Sequence, residues 1–300
     1  MFENLIGKKN FSLDRLATLC QVAEAGSIGA ATGDNANQQS QYSRQLSELS
    51  QFLGVPLLDN HTKPHRLTKE GEQLSRISRN YLSALEDFVG GCQNQPAKIV
   101  VGAGESLIQW ALIPSVLPKL REAFPETNVI FRNLQSEPII AAIQNGEIDL
   151  GFVRKSAVPK TLKWAGNFPL GYRLFVPKKF RPNFKTPVTL DQLAQFPMAV
   201  LEGGGQFRTT LDLLAIEAKV KLKLVTECSS STQVALLVAR KECCAILPTF
   251  ARSQLDKEVI EDYPVEGLKS LERTLCFAWN PKRAEIRPIV EKAAHVCAGA

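Results

Sequence analysis

The sequence predicts an α/β chain in two unlike parts. A winged helix-turn-helix and a long linking helix come first, then two α/β lobes with a ligand cleft between them. Three observations carry that expectation. Residues 12–68 hold three helical patterns followed by a basic hairpin pattern. Residues 69–90 hold one long apolar stripe at helical spacing. From residue 98 onward, short apolar runs alternate with helical runs, as in a parallel sheet covered on both faces.

In the first part, Ser12 is placed to cap a helix running through Glu24, with Leu13, Leu16, Leu19, Cys20 and Ala23 on its inner face. Gly26-Ser27 ends that helix and caps a short second one, in which Ala30 and Ala31 permit close crossing. Gly33-Asp34-Asn35 signals a turn before a glutamine-rich helix. On that helix Tyr42, Leu46, Leu49 and Leu53 fall at i, i+4, i+7 and i+11 and make one apolar stripe. Gln38, Gln39, Gln41, Ser43, Arg44 and Gln45 lie largely off it. Glutamine pairs with adenine N6/N7 and arginine with guanine O6/N7, so this face suits a DNA major groove. A solvated helix face rich in glutamine would look the same in isolation; the flanking helices and hairpin separate the two readings. The hairpin, 55–58 and 65–68 around 60–64, carries Lys63, Arg66, His61 and His65 near its tip and would touch phosphates. Candidate DNA-contacting residues are therefore Ser27, Gln38, Gln39, Gln41, Ser43, Arg44, Lys63 and Arg66.

The chain here resembles the LysR-type transcriptional regulators. The likeness is carried by residues 11–19, Ala23-Glu24-Ala25-Gly26-Ser27, Ser43-Arg44-Gln45-Leu46, Leu53-Gly54-Val55-Pro56-Leu57-Leu58 and Leu67-Thr68-Lys69-Glu70-Gly71, and it runs over roughly 11–297. Asn35 and Asn37 stand where the family usually has an aliphatic residue, and Gln38-Gln39-Ser40-Gln41 where it has Ser-Gln-Pro-Ala. The resemblance implies a DNA-binding domain over 1–68, a linker and dimerisation helix over 69–91, a hinge over 92–97 and an effector-binding domain over 98–300.

In the linker, Leu74, Ile77, Tyr81, Leu85 and Phe88 recur every three or four residues, and Gly90-Gly91 should end the helix before the hinge at 93–96. A long apolar stripe leaving a small domain with no local partner points to a second copy of itself, hence a homodimer or homotetramer on an interrupted inverted repeat of double-stranded DNA.

Beyond the hinge, strands are expected at 98–102, 128–132, 148–153, 163–168, 171–177, 198–201, 221–227, 245–247 and 271–279. Helices are expected at 106–124, 136–145, from 189, and at 206–218, 231–239 and 284–297. Crossovers near 160 and 268 give lobe I (about 98–160 and 269–300) and lobe II (about 161–268). With Ile113-Pro114, Phe124-Pro125, Gly146-Glu147-Ile148-Asp149-Leu150, Leu174-Phe175-Val176-Pro177 and Ile246-Leu247-Pro248, this resembles the family's periplasmic-binding-protein-like sensor domain. Such a fold takes ligand at the carboxyl ends of its strands. Candidate effector residues are Gly104 and Ser106, the 202–206 loop (Glu202, Gly203, Gly204, Gly205, Gln206), Arg154, Arg208 and Ser229. The donors favour a small organic anion; Glu105 and Glu202 oppose one, or select an effector that also carries positive charge. Asp149 reads as ordering the turn into its strand.

Composition bounds the alternatives. With 300 residues and 44% apolar content the chain can bury a sizeable core. Of the net charge of +6, residues 1–91 contribute nine Lys/Arg against ten Asp/Glu, so only the local cluster Arg44, Lys63, Arg66 and Lys69 argues for DNA. Without an apolar run of membrane length or a signal-like start, the expectation is a cytoplasmic protein with no membrane partner. Seven cysteines without paired spacing read as reduced thiols; one branch of the resembled family carries a cysteine redox switch, but here no cysteine occupies the loop at 202–209. Three histidines (His61, His65, His295), no nucleophile elbow, no phosphate loop and no metal spacing argue against an enzyme, a metal and a cofactor. A solute-binding protein shares the architecture but needs export. A cytoplasmic sensor with degenerate DNA binding is the alternative that Asn35 and Asn37 keep open.

Overall fold

The computed structural model describes residues 3–5, 7–33, 35–59, 64–93, 95–180, 183–203 and 206–299. The first unit is α1 (Leu13–Ala25), α2 (Ile28–Thr32), α3 (Ala36–Leu53) and a hairpin of β1 (Leu58–Asp59) and β2 (Arg66–Leu67). Each helix starts on a side-chain cap: the Ser12, Ser27 and Asn35 oxygens accept from the backbone N–H of Arg15, Ala30 and Gln38. Gly26 closes α1 at φ 80, a left-handed position that glycine takes without penalty. Leu19, Val22, Tyr42, Leu46, Leu49 and Leu57 form the core. The fully buried residues of α1 are Thr18, Leu19 and Val22; on the expected face Leu19 is buried, Leu16 packs on the core and Cys20 is half-buried against α4, whereas Leu13 is exposed. The polar member is tolerated because Thr18 Oγ1 donates to Gln45 Oε1 at 2.6 Å. Leu53, expected on the apolar stripe of α3, is also exposed.

Helix α4 (Lys69–Cys92) opens on Thr68, whose oxygen accepts from Gly71 N–H, and Gly71 lies so close to the Leu57 carbonyl that a side chain would collide with it. The helix does not stop at Gly90-Gly91. It runs to Cys92, where Gln93 N–H bonds the carbonyls of Val89, Gly90 and Gly91.

Lobe I is a five-stranded sheet in the order β4-β3-β5-β12-β6: β3 (Lys98–Ala103), β4 (Asn128–Asn133), β5 (Leu150–Arg154), β6 (Lys163–Leu170) and β12 (Arg273–Trp279). β3 is parallel to β4 and β5, and β12 is antiparallel to β5 and β6, so the sheet is mixed rather than all-parallel. The sequence order suggests lobe II for β6. It belongs instead to lobe I, because Phe168 packs edge-on against Phe152 and Phe277, and the crossover moves to Gly171. Between β3 and β4 the chain is continuously helical: α5 (Glu105–Leu107), a π-helical stretch (Ile108–Val116), then α6 (Leu117–Ala123). Pro114, which has no N–H to donate, sits inside the widened stretch. After β4 comes α7 (Ser136–Gln144).

Lobe II begins with β7 (Tyr172–Pro177) and continues through α8 (Leu190–Leu193), β8 (Met198–Leu201), α9 (Gln206–Glu217), β9 (Leu224–Cys228), α10 (Ser231–Ala239), β10 (Ala245–Pro248) and β11 (Ile260–Tyr263). β7 is antiparallel to both β10 and β11; β8 and β9 are parallel and are linked to β10 by the bridge Met198–Cys244. The C-terminal helix is broken into α11 (Pro281–Ile286) and α12 (Ile289–Ala298), because Pro288 disfavours helical backbone at Arg287.

That break aims two arginines at one buried acid. Asp149, fully buried, accepts from Val100 N–H (2.9 Å), Arg283 Nε (2.7 Å) and Arg287 Nη1 (2.5 Å). The same arginines reach α4: Arg283 Nη1 donates to Asn80 Oδ1 at 3.0 Å and Arg287 Nε to Asp87 at 2.5 Å. Burial pushes the Arg283 guanidinium below its ordinary range, which Asp149 partly offsets. Asp149 thus does more than order a turn: it holds α4 on lobe I. Glu24 adds an ion pair from α1 to Arg132 on β4.

Candidate nucleic-acid interface and inter-lobe cleft

The outer face of α3 is open. Gln39, Gln41, Ser43 and Arg44 are exposed, and among the described residues Arg44 reaches only Glu48, at 3.9 Å. Glu48 itself is held below the usual carboxylate range, chiefly by a hydrogen bond from Arg15 and despite some desolvation. A groove of about 420 Å³ runs between α2, the first half of α3 and the hairpin, lined by Ser27, Gly29, Gln39, Ser43, Pro64 and His65 among others. Ser27 lines this groove, but it is buried and its hydroxyl caps α2. Gln38 does not face outward as expected. Its Nε2 donates to the Tyr42 hydroxyl at 3.3 Å, and that hydroxyl donates to Gln21. Gln45 is likewise drawn inward by Thr18. Arg66 is exposed on β2; Lys63 and His61 lie outside the described residues. Asn35, unusual for the resembled family, is accounted for locally: its side chain caps α3.

Along α4, Ile77, Tyr81, Leu85 and Phe88 are exposed, Phe88 by 70%. Leu74, expected on the same stripe, packs instead into the core of the first unit.

The second region is a cavity of about 670 Å³ between the lobes. Gly104, Ser106, Arg154 and Ser229 line it, as expected from the sequence. Glu105, Asn133, Glu137 and Tyr172 line it too. Ser106 does not cap a helix; Gly104 occupies the cap position without a side-chain bond. Burial pushes the Tyr172 phenol up, partly offset by Arg154 and Arg273. Among the described residues one bond spans the cavity: Thr232 Oγ1 in lobe II donates to Glu105 Oε1 in lobe I at 3.1 Å.

The described residues of the 202–206 loop do not line this cavity. Glu202 lines a neighbouring depression with Ser229, Gly203 turns at φ 87, and Gln206 opens α9. Gly204 and Gly205 are outside the described residues. Arg208 does not line the cavity. Its Nε bonds both carboxylate oxygens of Asp212 at 3.0 Å, and its Nη1 reaches Glu227 and the Leu201 carbonyl at 3.3 Å. Burial opposes its charge, but Asp212 and Glu227 outweigh that and raise its pKa. The i,i+4 spacing of Arg208 and Asp212 is visible in the sequence and flags this pairing. Glu137, in the first turn of the helix after β4, is the charged cavity residue that sequence reasoning missed, along with the polar Asn133 and Tyr172. Among the described residues no group of three or more metal-ligating side chains is found.

With this geometry in view, comparison with known proteins is decisive. Residues 13–72 match the family model described as "Bacterial regulatory helix-turn-helix protein, lysR family", and residues 93–296 match "LysR substrate binding domain". The chain belongs to the LysR family. It is 25% identical to the uncharacterized HTH-type transcriptional regulator YnfL of Escherichia coli K12 over 258 residues, 83% of this chain and 86% of YnfL. A full-length OxyR variant from Pseudomonas aeruginosa shares its fold with a TM-score of 0.64 at 20% identity, over 96% of this chain and 94% of the other. Full-length CbnR complexed with its target DNA gives 0.56 at 17% identity, over 96% and 100%. As a family member, the chain is a LysR-type transcriptional regulator with helix-turn-helix DNA-binding and effector-binding domains. Among the described residues no helix is long and apolar enough to cross a membrane.

Proposed function

We propose that this regulator is a non-enzymatic cytoplasmic protein that binds an interrupted inverted repeat as a dimer or tetramer and responds to a small molecule held in the inter-lobe cleft. The observation that carries the DNA reading is the split of α3. Tyr42, Leu46 and Leu49 fix it to the core, while Gln39, Gln41, Ser43 and Arg44 are left open beside the hairpin. That is the arrangement in which the helix reads base edges and the hairpin, with Arg66 and Lys63, follows phosphates. Ser27 and Gln38 then serve mainly to hold α2 and α3 in position. The stripe Ile77, Tyr81, Leu85 and Phe88 on α4 is the proposed dimer contact. CbnR was solved on its target DNA, which supports the same use of this domain here.

Gel shift on the region upstream of the protein's own gene, at two salt concentrations, tests the assignment. Arg44→Ala and Gln39→Ala are expected to abolish specific retention while leaving fold and dimer intact. A bidentate base contact is worth roughly 1–3 kcal/mol, so each variant should lose about 5- to 150-fold in affinity. Wild-type retention by both variants removes α3 from the groove.

A further inference from the structure

Three charged side chains line the inter-lobe cavity, and the strand order arranges them. Glu137 follows β4, Glu105 follows β3 and Arg154 ends β5. Because the sheet runs β4-β3-β5, the floor of the cleft carries carboxylate, carboxylate and guanidinium in that order, the last two following neighbouring strands. Arg208, the other cation expected there, is taken up by Asp212 and Glu227 outside the cavity. Glu202 also lies outside it.

We propose that the effector is a zwitterion of the α-amino-acid class, its carboxylate on Arg154 and its ammonium on Glu105. This rests on the reading of the cleft as the effector site. Arg154 is exposed and makes no ion pair or hydrogen bond among the described residues, so its guanidinium is available to a ligand carboxylate in bidentate form. The hydroxyls of Ser229, Ser230 and Thr232, at the start of α10, face the same cavity from lobe II. Glu105 is on the adjacent strand end. Its Oε1 already receives Thr232 and, at 3.4 Å, Gln109, so the carboxylate is oriented across the cleft before any ligand arrives. A dianion would meet Arg154 but stand beside two carboxylates, which repel it. A simple amine would satisfy Glu105 but make no use of Arg154, and so would gain only one of the two charge-assisted contacts. A ligand with both charges on neighbouring carbons fits adjacent strand ends. Glu137, one strand further out, leaves room for a second positive group, and Leu107, Phe152, Leu170 and Leu275 offer an apolar wall for the aliphatic part.

The test uses the full-length protein and matched probes: the twenty proteinogenic amino acids, the amines formed from them by decarboxylation, and the corresponding 2-oxo acids, each scored by thermal shift and then titration calorimetry. At least one amino acid is expected to bind, with its amine and its 2-oxo acid each weaker by about tenfold or more, the loss of one charge-assisted hydrogen bond. Arg154→Gln and Glu105→Gln should each cost the amino acid about as much. In addition, Glu105→Gln should narrow the gap between the amino acid and its 2-oxo acid, which a merely structural role would not do. A 2-oxo acid that binds best, and tighter still in Glu105→Gln, overturns the zwitterion class but leaves the cleft standing. An amino acid whose binding is untouched by Arg154→Gln, Glu105→Gln and the blocking variant Ser106→Leu overturns the cleft itself. Binding by none of the amino acids overturns the class.

Discussion

Replacing Asp149 by asparagine keeps the shape of the side chain but removes the charge that two arginines share. Arg283 and Arg287 are 4% and 5% exposed as residues, and Asp149 is 0% exposed, so little water reaches either guanidinium. The asparagine amide oxygen could still accept from Val100 N–H, whereas Arg283 would keep only Asn80, and Arg287 would keep Asp87 and the Lys98 carbonyl. Removing one partner of a buried ion pair costs about 3–5 kcal/mol, because the remaining charge stays desolvated. In a unit of roughly 200 residues each kcal/mol lowers the melting temperature by about 2–4 °C, so Asp149→Asn should melt about 6–20 °C below wild type. Circular dichroism melts and urea titrations at about pH 7.5, where carboxylates are ionised, read this directly. Replacing all three residues together (Asp149→Leu with Arg283→Met and Arg287→Met) should recover much of the loss, since apolar groups carry no unpaired charge. A single variant within about 1 kcal/mol of wild type would refute the reasoning, because that is the range of an ordinary substitution.

Two other outcomes are expected. Phe88→Glu together with Tyr81→Glu places charge on the exposed stripe of α4 and should convert the oligomer to a monomer in analytical ultracentrifugation with an unchanged far-UV spectrum; a persisting dimer would remove α4 as its contact. Burial pushes the thiols of Cys243 and Cys276 up to about 11 and those of Cys244 and Cys297 up to about 12, against an ordinary 9.0. At about pH 8 the native protein should therefore label at the exposed Cys92 long before these four, as followed by mass spectrometry. The same shifts set a sign for stability. Only the unfolded chain can ionise these thiols near pH 9, so their contribution is full below that pH and lost as pH rises through about 11 to 12. Rapid labelling of Cys243-Cys244 in the native state would contradict their burial.

Local periodicity made much of this legible. The helix caps at Ser12, Ser27 and Asn35 and the buried run Tyr42, Leu46 and Leu49 lie within a few residues of their partners, so pattern alone locates them. The cavity residues Gly104, Ser106, Arg154 and Ser229 were legible because ligand sites follow strand ends. What escaped was decided at a distance. β6 joins lobe I through β12, about a hundred residues later, and no local pattern reports its partner. Gln38 and Gln45 turn inward to hydroxyls on other residues, Tyr42 and Thr18, although helical geometry points them away from the core stripe. The role of Asp149 depends on arginines 134 and 138 residues away in sequence. The break at Arg287-Pro288 was a missed local signal, since a residue before proline is disfavoured in helical backbone.

The arginine pair anchored on Asp149 ties lobe I to the long helix α4. Lobe I travels with α4, and through Glu24 with the first unit, as a single body. Lobe II is joined to that body by two passages of chain, at Gly171 and Glu272, by bonds such as Thr232 to Glu105 and Ser253 to the Trp110 carbonyl, and by apolar packing: Trp110 is buried in the lobe II core and Phe250 meets Phe152 edge-on. Opening or closing the cleft therefore has to shear the packing of Trp110 and Phe250, whereas lobe I stays tied to α4 through Arg283 and Arg287.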